Sequence, residues 1–132
     1  MYAEQYKPVT LYKNHGNNAE YACGAFYGVE ATPNNRSHKL GGDVLGFQVK
    51  SARATVCEGL DFSAYLAEDA ADSFIYVTKS FKGYVMSRSE YAEFINQFAA
   101  PALSSKKNGE KPVLRLRHES RKMLEWLAAA TA

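Results

Sequence analysis

The pattern of apolar and polar positions along the chain predicts alternating helices and strands. The clearest helix follows Ser87, which forms a capping-box pattern with Glu90 three residues later. Apolar side chains then recur at helical spacing, at Tyr91, Phe94, Ile95 and Phe98. Pro101 predicts the end of this helix, since proline cannot continue a helical hydrogen-bond ladder.

Three further helices are predicted from the same 3.6-residue periodicity. The first begins near Ala19 after a cap at Asn17 or Asn18, and the second begins at Asp61 and extends to about residue 71. The last begins near Ser120. The inward-facing positions expected for the first and last helices are Ala22, Cys23, Phe26, Val29, Met123, Leu124 and Leu127.

Alternation with a period of two predicts strands between these helices. Residues 40–44 and 47–55 are expected to form a hairpin around a turn at Leu45 and Gly46. In the second strand, Gln48 and Lys50 share one face, and Val49 lies on the other. Further strands are predicted at residues 74–78, 83–86 and 113–117, with loops at residues 32–37 and 104–111.

The order of these elements predicts an α/β (α+β) fold, with a mixed central β-sheet flanked by helices. The chain has 132 residues, of which 46% are hydrophobic, so one domain over residues 1–132 is expected. No apolar run is long enough to cross a bilayer, and residues 1–10 lack a signal-peptide core. We therefore expect a cytoplasmic protein that does not bind membranes.

The charge and the cysteine pattern exclude two classes of protein. The formal net charge is only +2, so the chain is not globally basic and any site for a polyanion must come from local clustering. Cys23 and Cys57 are far from each other and are not at metal-ligand spacing to any histidine, which argues against a zinc site or a disulfide framework. Both are expected to be buried free thiols.

Three polar side chains are expected to converge across the predicted hairpin. Asp43 precedes the turn, while Gln48 and Lys50 point to one face of the following strand. Phosphodiester hydrolysis requires a bound cation and a positive group beside the attacking water. Mg²⁺ accepts oxygen ligands, which the Asp43 carboxylate, the Gln48 amide and the Val49 carbonyl can supply.

The segment from Asp43 to Gln48-Val49-Lys50 resembles the signature of the PD-(D/E)XK nuclease superfamily, an acidic residue followed by Glu or Gln, any residue, and Lys. This resemblance implies a restriction-endonuclease-like core and a Mg²⁺ or Mn²⁺ cofactor. It also implies an acidic residue on a preceding helix, which Glu20 matches and for which Glu30 is a competitor. The glutamine resembles the variant of Mrr-type restriction proteins and favours one metal ion over two.

Basic residues elsewhere are candidates for contacts with nucleic-acid phosphates. They are Lys39, Arg53, Arg115, Arg117, Arg121 and Lys122. An ordinary solvated charged surface explains them equally well. The histidines, His15, His38 and His118, are expected to have surface or capping roles, although His118 is placed to reach a phosphate. Most aromatic residues are assigned to the core, including Phe26, whereas Tyr2, Tyr6 and Tyr12 are candidates for stacking or dimer contacts.

These patterns lead to one functional hypothesis and two alternatives. The hypothesis is a Mg²⁺-dependent endonuclease in which Asp43, Gln48, Val49 and Glu20 hold the metal and Lys50 activates water, with DNA favoured over RNA as substrate. A homodimer is expected, because cutting both strands of a duplex requires two active sites.

The alternatives are an RNA- or tRNA-cleaving enzyme of the same fold and a binding module without catalysis. An interpretation without function treats Asp43, Gln48 and Lys50 as ordinary surface residues, because short patterns of this kind arise often by chance.

Overall fold

The computed structural model describes residues 3–8, 15–29, 44, 46–58, 73–103 and 112–130. Three helices lie in this part of the chain, α1 (His15–Tyr27), α2 (Arg88–Phe98) and α3 (Arg121–Ala130). Seven strands accompany them. The strands are β1 (Ala3–Gln5), β2 (Phe47–Lys50), β3 (Thr55–Glu58), β4 (Ser73–Val77), β5 (Lys82–Ser87), β6 (Ala99–Leu103) and β7 (Pro112–Leu116).

The strands form two sheets. The first sheet has the order β1-β5-β4-β2, in which β2 is parallel to β4 and the other pairs are antiparallel. The second sheet has the order β3-β7-β6 and is antiparallel throughout. The prediction of a mixed sheet with helices around it is therefore confirmed, and a separate antiparallel sheet is added to it.

Two hydrophobic clusters pack on opposite faces of the first sheet, because side chains alternate along its strands. On one face, Val49, Ile75 and Val77 pack against α1 through Ala19, Ala22 and Cys23. On the other face, Phe74, Tyr76 and Met86 pack with α2, α3 and the second sheet. The buried side chains that α2, α3 and the second sheet add are Val56, Tyr91, Phe94, Ile95, Leu116, Met123 and Leu127.

Local signals explain where helix α2 begins and where helix α1 ends. The Ser87 hydroxyl accepts from the Glu90 backbone N–H, and the Glu90 carboxylate accepts from the Ser87 backbone N–H. This confirms the predicted capping box, whose hydrogen bond lowers the pKa of Glu90. Helix α1 ends at Tyr27 and is followed by Gly28, whose φ of 71° lies in the left-handed region that glycine adopts without strain.

The predicted hairpin is only partly correct. Val44 and Phe47 exchange two backbone hydrogen bonds, of 3.1 Å and 2.8 Å, which confirms the turn at its two ends. The single strand expected over residues 47–55 is wrong. The chain turns after β2, where the Ala54 N–H donates to the Ser51 carbonyl and Arg53 has a φ of 66°, and it then enters the second sheet as β3.

Other expectations also require correction. Helix α1 begins at His15, so Asn17 and Asn18 lie inside the helix and do not cap it. Phe26 is 40% exposed and is not a core residue, whereas Tyr6 is fully buried and is not available for stacking on a base. Cys23 is a buried free thiol, as predicted.

Several predicted segments lie outside the described residues. They are the strand segment over residues 40–43, the loops at 32–37 and 104–111, and the helix at 61–71. Tyr2, Tyr12 and His38 also lie there, as does the side chain of Cys57.

Candidate functional site

The candidate site lies on the parallel pair formed by β2 and β4. Gln48 pairs with Phe74 and Lys50 pairs with Tyr76 in this register, so all four side chains lie on the face of the sheet that carries α2 and α3. Ligand sites of open α/β sheets form beyond the carboxyl ends of parallel strands, and Lys50 is the last residue of β2. The structure therefore brings Gln48 and Lys50 to one face, with Lys50 at the edge where a ligand can approach.

Gln48 is more enclosed than Lys50. Its side chain neighbours Phe74, whose ring stacks on Tyr91 at a centroid distance of 3.9 Å, and only 8% of Gln48 is exposed. Lys50 is half-buried. A neutral amide costs less to bury than a carboxylate does, which gives a physical reason for glutamine at this position.

A hydrogen-bonded carboxylate contacts Tyr76, the residue of β4 that pairs with Lys50. Lys50 pairs with Tyr76, whose hydroxyl donates to Glu119 Oε2 at 2.9 Å, and the Lys79 backbone N–H donates to the same oxygen at 3.0 Å. Burial, together with the neighbouring charge of Glu119 and this hydrogen bond, raises the pKa of Tyr76. The two bonds tie the connection between β7 and α3 to the carboxyl end of β4.

Arginine and histidine side chains meet just beyond the end of β2. Arg53 Nε donates to His118 Nε2 at 3.0 Å, and Arg53 Nη2 contacts the same nitrogen. Arg115, on β7, donates from Nη1 to the Arg53 carbonyl at 3.4 Å. The turn after β2 thereby places two guanidinium groups and an imidazole near each other on the surface.

The remaining basic candidates lie after the end of β7 and in the first turn of α3. Arg117, Arg121 and Lys122 are exposed, and Arg121 Nε donates to Glu125 Oε1 at 3.2 Å. Ser120 caps α3 by accepting from the Met123 N–H at 3.1 Å. We call Arg53, Arg115, Arg117, His118, Arg121 and Lys122 the basic band. Lys39 lies outside the described residues.

The described residues alone do not assemble a metal site. The Gln48 amide and the Val49 carbonyl are oxygen donors, the type that Mg²⁺ requires. Glu20 lies on α1, which packs against the opposite face of the sheet from Gln48 and Lys50. Within the part of the chain that the structure describes, no three His, Cys, Asp or Glu side chains lie together as metal ligands would. A metal at this site therefore depends on Asp43, which lies outside the described residues.

Sequence reasoning missed Tyr76 and Glu119. It gave His118 a surface or capping role and noted that this residue could reach a phosphate. The parallel pairing of β2 with β4 places Tyr76 beside Lys50, and the Tyr76 hydroxyl donates to Glu119. That pairing is long-range, and the sequence carries no local signal for it. A weak signal for His118 was its position between Arg117 and Glu119 at the start of a predicted helix.

Comparison with known proteins gave no match. No family model fits the chain, and neither a curated protein nor a solved structure is significantly similar to it. A separate search of the described helices found none that is both long and apolar enough to cross a membrane.

Proposed function

We propose that the protein is a Mg²⁺-dependent cytoplasmic endonuclease that hydrolyses phosphodiester bonds of DNA. One observation carries the proposal: Gln48 and Lys50 share one face at the carboxyl end of a parallel strand pair, and the basic band begins directly beyond it. A nuclease needs a cation beside the attacked phosphate and a positive surface that holds the flanking phosphates. Lys50, at the end of β2, and Arg53, in the turn that follows it, are our candidates for these two roles.

The β2–β4 pair also supports the resemblance to PD-(D/E)XK nucleases. Two parallel strands require a crossover connection, and the family places a helix and a further strand after its motif. Strand β3 and the second sheet are additional to that arrangement in this chain. The restriction-endonuclease-like core thus remains part of the proposal.

Each residue has a separate role in the proposed reaction. Asp43 and Gln48 would hold the ion, with the Val49 carbonyl as a further oxygen donor, and bound Mg²⁺ would supply charge neutralisation at the attacked phosphate. The Lys50 ammonium lies at the strand end, where it positions the attacking water and stabilises negative charge on the phosphate oxygens. Helix α1, which carries Glu20, packs on the other face of the sheet, so we assign the ion to Asp43, Gln48 and Val49 first. A homodimer belongs to the proposal, since each protomer has one such site.

The test is a cleavage assay on supercoiled plasmid and on tRNA with Mg²⁺ or Mn²⁺, using wild type and Lys50→Ala. Loss of a cation that stabilises the transition state is expected to lower the rate by roughly 100-fold or more. Lys82→Ala, which removes an exposed lysine of β5, is the matched control and should retain the wild-type rate. Linear plasmid, with both strands cut, is expected from a dimer, whereas nicked circles indicate a single site.

Three outcomes would contradict a part of the proposal: the DNA substrate, the catalysis or the role of Lys50. Cleavage of tRNA but not of plasmid would assign the site to RNA. Nucleic-acid binding without cleavage would favour the non-catalytic module. Equal activity of wild type and Lys50→Ala would remove Lys50 from the site.

Gln48→Glu tests the metal more directly. It places a carboxylate at a position that is 8% exposed, where an uncompensated charge is costly. A bound cation offsets that cost, so Mg²⁺ should raise the melting temperature of Gln48→Glu more than that of wild type. Gln48→Leu, which has no oxygen donor, is the control and should show a smaller Mg²⁺ response than wild type. Identical Mg²⁺ responses in all three proteins would place Gln48 outside a metal site.

A further inference from the structure

The first strand is attached to the domain through residues that lie far along the sequence. β1 and Tyr6 form a short segment, residues 3–6, which we call the β1 arm. Gln5 lies opposite Lys82 in an antiparallel ladder with β5. The Tyr6 N–H donates to the Phe81 carbonyl at 2.7 Å, and Gln5 Nε2 donates to the same carbonyl at 3.1 Å. The arm therefore binds the edge of the sheet in the way that an added peptide strand does.

The aromatic ring at the end of the arm fills a socket in the domain. Tyr6 is fully buried, and its ring packs edge-on against Phe26 at a centroid distance of 4.7 Å. Tyr27 lies at 6.4 Å on the same helix, α1. Gly83 forms the floor of the socket, since a Cβ atom there would lie 1.9 Å from Tyr6 Cε2. Backbone pairing with β5 and one aromatic anchor together fix the register of the arm.

The connection that follows the arm begins on the surface. Lys7 and Pro8 are both exposed, and a residue before proline is restricted to extended conformations. Residues 9–14 then lead to α1 and lie outside the described residues. The contacts of the arm are made with β5 and α1. The same contacts form when a second copy of the chain supplies the arm, so an exchange between copies gives up none of them.

We propose that two copies of the chain exchange their β1 arms, so that the arm of each copy pairs with β5 of the other and its aromatic anchor fills the other socket. A second copy is the occupant because it carries the segment that this edge and this socket already hold in register. The two contacts are identical, so a two-fold axis relates them and the dimer is closed. This inference rests on the homodimer in the proposed function and supplies the interface for it.

The exchange leaves the candidate site unoccupied by the second copy's arm. In the first sheet as described, β1 and β2 are the outer strands at opposite edges, with β5 and β4 between them. Gln48 and Lys50 lie on β2. Each protomer of the exchanged dimer therefore pairs through one edge of its sheet and keeps its candidate site at the other.

The experiment traps the exchanged arm with a disulfide. Gln5 and Lys82 are exposed, and residues directly opposite in an antiparallel pair have Cα atoms about 4.5 to 5.5 Å apart, which a disulfide can span. Full-length Gln5→Cys and Lys82→Cys chains with different tags are co-expressed, purified and oxidised with glutathione. Thiols held side by side have an effective concentration in the millimolar range, so at about 10 μM protein the covalent heterodimer should form roughly 100-fold faster than by collision.

Three controls accompany this pair. Gln5→Cys co-expressed with Glu125→Cys, an exposed position on α3, measures cross-linking by collision. Wild type with Lys82→Cys measures any contribution of the native cysteines. Adding Tyr6→Ala to the Gln5→Cys chain removes the anchor and should lower the yield of heterodimer by at least about tenfold, whereas Tyr6→Phe keeps the ring and should retain it.

The double variant Gln5→Cys/Lys82→Cys gives the decisive result in a single chain. Exchange predicts that oxidation links it into a covalent dimer, while a covalently closed monomer overturns the proposal. Heterodimer formation no faster than in the Glu125→Cys control also overturns it. A dimer mass in light scattering without the covalent heterodimer would reject arm exchange and leave the homodimer of the proposed function standing. Cleavage is not part of this measurement, so failure of the nuclease proposal is distinguished from failure of the exchange.

Discussion

Gly83, in β5, lies where the structure leaves no room for a side chain. A Cβ atom built at this position would lie 1.9 Å from Tyr6 Cε2, and the Tyr6 ring is fully buried. That ring also packs edge-on against Phe26 at a centroid distance of 4.7 Å, so it is enclosed on a second side. Gly83→Ala should therefore lower the free energy of unfolding by about 2 kcal/mol, the cost of overpacking a filled core, as measured by urea denaturation.

A double-mutant cycle tests whether the loss of stability comes from the clash with the Tyr6 ring or from a general effect of the substitution on β5. Tyr6→Ala removes the ring, so Gly83→Ala in that background should cost much less than it does in wild type. The expected coupling energy is about 1 to 2 kcal/mol. Strictly additive effects would mean that the Tyr6 ring is not what excludes a side chain at position 83.

Elements with strong local signals were predicted correctly from the sequence. Helix α2 has its capping box and its apolar stripe, and both are present in the structure. Strands β4, β5 and β7 were also predicted, with ends that differ by one residue, and the start of helix α3 was predicted to within one residue. These elements follow from side-chain periodicity, which is a property of the local sequence.

Elements without local signals were missed. The turn after β2 has Arg53 at positive φ, although arginine is not a turn-forming residue, so residues 47–55 were predicted as one strand. Pro101 was interpreted as a helix stop, but it lies in β6, an outer strand of the second sheet as described, where a missing N–H is tolerated. Strand β1 has only three residues and was not predicted.

In the candidate site, too, only the features with a local sequence signal were predicted. Placement of Gln48 and Lys50 on one face follows from strand alternation and was predicted. The partners that complete the site, Tyr76, Glu119 and His118, come from distant parts of the chain. Only the assembled sheets bring them together, so local sequence patterns carry no information about their proximity.

At the scale of the whole molecule, the first sheet lies between two hydrophobic cores, and each core contains a buried tyrosine. The core against α1 contains Tyr6, and the core against α2 and α3 contains Tyr76; both side chains are fully buried. Burial raises the pKa of both tyrosines. Tyr27, Cys23 and Glu4 add to the effect at Tyr6, and Glu119 adds to it at Tyr76. Each core therefore holds a hydroxyl that stays protonated at a pH where an unfolded tyrosine ionises.

The tyrosine pKa is higher in the folded chain than in the unfolded chain, and this predicts a loss of stability in alkali. Above about pH 10, the unfolded chain releases the protons of Tyr6 and Tyr76 while the folded chain retains them, so rising pH favours unfolding. Each tyrosine contributes a decrease of about 1.4 kcal/mol per pH unit to the free energy of unfolding, and below about pH 10 neither contributes a slope. Urea denaturation at several pH values between about 9 and 12 measures the total slope, to which lysines and other groups add.

The difference between wild type and Tyr6→Phe isolates one of the two contributions. Tyr6→Phe keeps the buried ring and removes the ionisable hydroxyl, so its alkaline slope should be shallower than that of wild type by about 1.4 kcal/mol per pH unit. Tyr76→Phe should be shallower by the same amount. It should also be less stable at neutral pH by about 1.5 to 3 kcal/mol, because it loses the hydrogen bond to the Glu119 carboxylate. If the slopes of both variants equalled that of wild type, the two hydroxyls would have to ionise as readily in the folded protein as in the unfolded chain. Such a result would contradict their burial in the two cores.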